Sequence, residues 1–171
     1  MWLFIMQALY FFLPAYFANM APVFFRKVPF LAMPVSEKYF GKNKTWRGLF
    51  FAVVLGTIVF GIQKYVYYIG YTRLSLLDYN GFSLMLGFTM SLGAILGDLL
   101  KSYYKRKEGI KPGEPWWFWD QMDFVIGGIV GSCVVYVPYA DVILVILIAS
   151  PLLHILVNYI GYFLGIREKK F

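Results

Sequence analysis

The stretch "WFWDQMDFVIGG", Trp117 to Gly128, places two carboxylates, Asp120 and Asp123, three residues apart at the head of an apolar run. That spacing puts both on one face of a helix. The run behind them suits hydrocarbon, and most of the chain reads the same way. Hydrophobic residues make up 60% of the 171 and charged residues only 15%, where a soluble domain carries about a quarter. The apolar residues are also blocked rather than scattered. The pattern predicts a single all-α integral membrane domain, 1–171, with five transmembrane helices at about 1–25, 48–71, 79–104, 120–140 and 142–166. Each contains a stretch of the roughly 17 to 25 residues that a span needs. The segment 1–25 lacks the basic start and small-residue cleavage site of a secretory leader, so it reads as the first helix. A single cysteine, Cys133, excludes an internal disulfide framework.

Five spans place the termini on opposite sides, and the basic residues choose the sides. Arg26, Lys27, Lys38, Lys42, Lys44 and Arg47 fall in loop 26–47. Lys101, Lys105, Arg106, Lys107 and Lys111 fall around loop 105–119, and Arg167, Lys169 and Lys170 in the tail. Fourteen of the 16 cations thus share one side, which predicts two cytoplasmic loops, a cytoplasmic C-terminus and an N-terminus outside. The net charge of +7 follows from this bias and does not call for nucleic acid. Lys64 lies 16 residues beyond Gly48, about 24 Å along a helix, where it reaches the opposite interface.

Asp98 closes the uncharged part of the third helix, about 28 Å from Tyr79 at 1.5 Å per residue. That is the depth at which Asp120 and Asp123 begin the fourth. Three carboxylates at one depth repel unless a cation joins them. Carboxylate oxygens suit hard Mg²⁺, and no Cys/His cluster exists for zinc. Acids at a helix start are also favoured by the dipole, which alone would account for Asp120 and Asp123. It does not account for a third acid facing a crowd of cations. In "GDLLKSYYKR", Asp98, Lys101, Ser102 and Lys105 recur at three- and four-residue steps, with Arg106 beside them. In "GKNKTWRG", Lys44, Thr45 and Arg47 sit among glycines. Anionic-lipid attraction would explain the charge, but not the interleaved hydroxyls, acids and glycines. The combination describes a polyphosphate site.

Inside the membrane, Asn19 stands between Pro14 and Pro22, which loosen the helix and let the amide face a cavity. It joins the candidate ligand-binding residues. His154 and Asn158, an i, i+4 pair, read as an interhelical hydrogen-bonding pair. Gly127 with Gly131, and Gly161 with Gly165, are close-packing faces.

Three stretches, "LPAYFANMAPV", "GKNKTWRGL" and "GDLLKSYYKRKEGIKPGEPWWFWDQMDFV", together resemble the archaeal CDP-archaeol synthase family, related to bacterial and eukaryotic phosphatidate cytidylyltransferases. They cover about a third of the chain, in the family's order. The bacterial signature differs: an aspartate after the second-loop lysine is Pro112 here, the arginine of its final D-R-x-D is Gln121, and its His-Gly-Gly is missing. The departures favour the archaeal branch.

The resemblance implies transfer of CMP from CTP to digeranylgeranylglyceryl phosphate, giving CDP-archaeol and pyrophosphate, with Mg²⁺ as cofactor. It implies a multi-pass enzyme of the cell membrane whose site faces the cytoplasm, among membrane lipids and without nucleic acid. Asp98, Asp120 and Asp123 are the expected metal ligands, with Glu114 behind Asp98 as the third acid. Asp98, Asp120, Asp123 and Lys101 form the expected catalytic set. Lys44, Thr45, Arg47, Lys101, Ser102, Lys105 and Arg106 are the expected nucleotide contacts, along with Asn19. A CTP-dependent polyprenol kinase would use the same residue types on the γ-phosphate. A lipid transporter or scaffold would use the loops for adhesion, but transporters show repeats or broken midplane helices, and here the polar density is at one face.

Overall fold

The computed structural model of the chain describes residues 1–111, 114–116 and 118–163, with backbone alone at 154, 157, 158 and 160–162. Its helices are α1 (Trp2–Phe11), α2 (Leu13–Phe24), the single turn α3 (Glu37–Phe40), α4 (Trp46–Tyr68), α5 (Met85–Lys107), α6 (Trp119–Ser132) and α7 (Ala140–Phe163). A 3₁₀ turn, Tyr79–Gly81, precedes α5. Among the described residues there is no strand beyond one isolated bridge, Pro34 to Thr45.

The expected helix 1–25 is two helices bent by 53°. Pro14, in the first turn of α2, has no N–H for the Tyr10 carbonyl and its ring crowds the preceding turn. The Tyr10 carbonyl accepts a backbone amide at the end of α1 and, from α4, the Gln63 side-chain amide at 2.5 Å. The third expected helix starts late, at Met85, behind the 3₁₀ turn. The fourth ends early, at Ser132. Val134, Val135 and Val137 are poor helix formers, and Pro138 disfavours helical geometry in the residue before it. Among the described residues, α4 is the one helix long and apolar enough to cross a membrane alone; the bent α1–α2 pair would make a second. In α5 the last turns carry Asp98, Lys101, Lys105, Arg106 and Lys107, which lowers its mean hydropathy.

The core is built for close approach. Ala15, Ala18, Ala21, Ala52 and Ala94 are fully buried between α2, α4 and α5, with Phe11, Phe12, Phe60 and Phe124 filling the larger gaps. At the α5–α6 contact, Gly93 and Gly97 meet Gly127 and Gly131 so closely that an added Cβ on any of them would overlap the partner's backbone. Outward, α4 and α7 expose Phe50, Ile58, Ile62, Leu144, Ile148 and Leu152. An inside of small residues and an outside of large apolar ones is the arrangement expected where lipid is the solvent. The expected His154/Asn158 pair, the Gly161/Gly165 face, Pro112 with Gly113 and the basic tail lie outside the described residues or side chains.

Candidate active site

The glycine contact fixes the site. Because Gly97 abuts the Asp123 backbone, its neighbour Asp98 faces α6 at the depth of Asp120 and Asp123. One turn further along α5, the Lys101 ammonium lies between all three carboxylates. It is 3.2 Å from Asp98 Oδ1, 3.1 Å from Asp120 Oδ1 and 2.6 Å from Asp123 Oδ2. Lys44, just before α4, pairs with Asp98 Oδ2 from the other side. Lys105 reaches Asp120 at 3.2 and 3.3 Å and donates to the Glu114 carbonyl at 2.5 Å. The Trp116 amide donates to Asp120 Oδ2 at 2.6 Å. Asp98, Asp123 and Lys105 are buried. Burial pushes the Lys105 ammonium below the usual lysine range, against the pull of Asp120. Three carboxylates and three ammoniums therefore balance within one cluster drawn from three elements.

The other expected contacts have backbone duties. The Thr45 hydroxyl caps α4 by accepting the Gly48 amide at 3.2 Å. Arg47 donates to the Val28 carbonyl at 2.5 Å and so ties down the loop 26–45. The Ser102 hydroxyl donates to the Asp98 carbonyl at 2.8 Å. Arg106 is half-buried, its Nε without a hydrogen-bond partner. Asn19 is half-buried on α2, and no hydrogen bond or ion pair links it to the cluster. The Glu114 carboxylate accepts the Lys111 amide at 3.0 Å in its own loop.

As a metal site the cluster is right in donor type: hard carboxylate oxygens suit a hard cation. Asp123 Oδ2 is buried and accepts no hydrogen bond. The Lys101 ammonium beside it, at 2.6 Å, is its ion-pair partner. Among the described residues, however, no three Asp, Glu, His or Cys side chains already surround a common point free for an ion. The lysine stands there.

Sequence reasoning did not foresee what leads away from the cluster. Along the outer face of the α5–α6 contact runs an apolar groove of about 840 Å³. Leu92, Leu96, Ile126 and Val130 wall it, and the paired glycines floor it. Trp116 and Trp119 stand at its mouth, where Lys101 and Asp123 are the charged end. The signal was present in Gly93-x-x-x-Gly97, which matches Gly127-x-x-x-Gly131: four missing side chains leave a trough wherever two helix backbones touch.

Fold and site thus define an all-helical protein, apolar on its outside, with a largely buried charge cluster at the head of an apolar groove. Comparison with known proteins identifies the family. A family model, CarS-like: CDP-archaeol synthase, matches residues 1–171. The chain is similar to the CDP-archaeol synthase of Pyrococcus furiosus, 33% identical over 92% of this chain and 93% of that one. It is similar to that of Methanocaldococcus jannaschii, 34% identical over 94% of each. A solved structure described as an intramembrane enzyme for archaeal membrane lipids biosynthesis superposes with a TM-score of 0.68 at 28% identity, covering 90% of this chain and 94% of that one. The chain belongs to the CDP-archaeol synthase family.

Proposed function

We propose that the cluster of Lys44, Asp98, Lys101, Lys105, Asp120 and Asp123 is where CTP and a lipid phosphate react. Family membership makes the chain a CTP-dependent cytidylyltransferase of membrane-lipid synthesis. The observation that carries the placement is the groove that opens onto Lys101 and Asp123. It offers an apolar channel to isoprenoid tails and ends at the one dense array of charge among the described side chains. The lipid substrate in this reading is digeranylgeranylglyceryl phosphate, with its tails along Leu92, Leu96, Ile126 and Val130.

The phosphate oxygen of the lipid is already anionic at neutral pH, so attack needs no general base. It forms a bond to the α-phosphorus of CTP, the bond from that phosphorus to the bridging β-phosphate oxygen breaks, and pyrophosphate leaves. Mutual repulsion of the anions is the main obstacle. Lys44, Lys101 and Lys105 neutralise and align the triphosphate. Asp98, Asp120 and Asp123 would hold Mg²⁺, which when bound supplies positive charge to the reacting phosphates. Thr45 and Arg47 act by fixing the loop that delivers Lys44.

The membrane arrangement belongs to the same proposal. Counting the bent α1–α2 pair as one span, then α4, α5, α6 with its following turn, and α7, the chain crosses five times. The contact of Lys44 with Asp98 and of Lys105 with Asp120 supports a shared side for loops 26–47 and 105–119, and their cations make that side cytoplasmic. Cysteines placed at Lys42 and Glu108 in a Cys133→Ala background should react with an impermeant reagent from the cytoplasmic side alone. The chemical test is purified protein with CTP labelled at the α-phosphate, Mg²⁺ and a panel of lipid phosphates. Label should enter the lipid and pyrophosphate should appear. Release of CDP with the γ-phosphate on the lipid would mean a kinase instead.

A further inference from the structure

The position of Lys101 carries a consequence for how a metal enters, and it rests on the reading of the cluster as a nucleotide and metal site. Lys101 contacts all three carboxylates, whereas Lys44 contacts Asp98 and Lys105 contacts Asp120. The six charges balance. A divalent cation added to this arrangement would leave the buried cluster with two excess positive charges, which a low-dielectric site resists. It would also need the space that the ammonium fills. One lysine must leave, and the one whose departure frees oxygens of Asp98, Asp120 and Asp123 together is Lys101. Its exit has a direction, because Lys101 also lines the groove mouth with Tyr104 and Trp116. That is where the phosphates of both substrates would lie.

We propose that the Lys101 ammonium and a divalent cation are alternative occupants of the carboxylate cluster, and that metal entry moves Lys101 outward onto the phosphates. Lys101 is then both the counter-ion that lets three acids lie together and the cation that grips the nucleotide. Metal and CTP must bind with mutual reinforcement, since CTP gives the displaced ammonium a new partner and each ligand raises the other's affinity equally. A divalent ion alone competes with a tethered cation and binds weakly.

The test is Mn²⁺ binding to detergent-purified protein, followed by electron paramagnetic resonance without nucleotide, for the parent, Lys101→Met and Lys105→Met. Lys101→Met should bind Mn²⁺ about tenfold or more tightly than the parent, since loss of a unit charge at contact distance is worth at least that. Lys105→Met frees Asp120 alone and should gain clearly less. Equal affinity in parent and Lys101→Met, or equal gains in the two variants, would overturn the proposal. Should Lys101→Met fail to fold, Lys101→Gln keeps donors for the carboxylates without the charge and should show the same direction of change. Tight Mn²⁺ binding by the parent alone would overturn the proposal whatever the variants do. If no variant binds Mn²⁺ with or without CTP, the metal reading of the cluster itself falls.

Discussion

Two lysines at opposite ends of the molecule each sit among three acceptors. Lys64 of α4 donates to the carbonyls of Tyr79 at 2.8 Å, Asn80 at 3.4 Å and Phe82. Lys101 of α5 meets the carboxylates of Asp98, Asp120 and Asp123. The geometry is similar and the chemistry is not. Around Lys64 the acceptors are neutral peptide dipoles of one short turn, so the ammonium pins the 3₁₀ turn that leads into α5 and has nothing to exchange. Around Lys101 the acceptors are full charges from two helices, gathered at a cost that a protein rarely carries for stability alone. The number of contacts does not mark a functional lysine; the charge it balances does.

The largest expected effect is on the acids. Asp123→Asn and Asp120→Asn keep size and helix position, and each should cut turnover by about 10³-fold or more, the several kcal/mol that correct charge placement at phosphoryl groups supplies. Both should still purify as folded protein. Next comes Gly97→Ala. Its Cβ would overlap the Asp123 backbone, forcing α5 and α6 apart. About 1–3 kcal/mol of stability should go, and with it about 10²-fold in turnover from the misplaced carboxylates. Thermal unfolding beside an activity assay separates the two. Lys44→Ala removes one cation from Asp98 and from the nucleotide, and should raise the KM for CTP by about 10- to 100-fold, a charge-assisted contact of roughly 1.5–3 kcal/mol. The smallest effect on activity belongs to Lys64→Met. It should lower stability by about 1–2 kcal/mol and leave CTP kinetics near those of the parent. A Lys64 variant as inactive as an Asp123 variant would erase the contrast between the two lysines.

The contrast was half visible in the sequence. Steps of three and four residues placed Asp98, Lys101 and Lys105 on one stripe, and the i, i+3 pair Asp120/Asp123 on another, because helical spacing survives any packing. Which cation would stand between the stripes was not visible: that depends on the glycine contact, which sets the α5–α6 distance. An expected helix start at 48 left the backbone roles of Thr45 and Arg47 unseen. With the start at Trp46, Thr45 becomes the cap and Arg47 the anchor of the preceding loop. Pro14 and Pro22 hinted that 1–25 is not one rod, but the Gln63 side chain reaching the Tyr10 carbonyl at that break joins residues 53 apart and has no local signal. The groove was missed because it is made of absent side chains.

The most direct test of the account is label transfer from α-labelled CTP to digeranylgeranylglyceryl phosphate by Lys101→Met and Lys64→Met side by side, with thermal unfolding recorded on the same samples. The account predicts that Lys101→Met loses transfer while Lys64→Met retains it despite its lower melting temperature. Full transfer by folded Lys101→Met would contradict it.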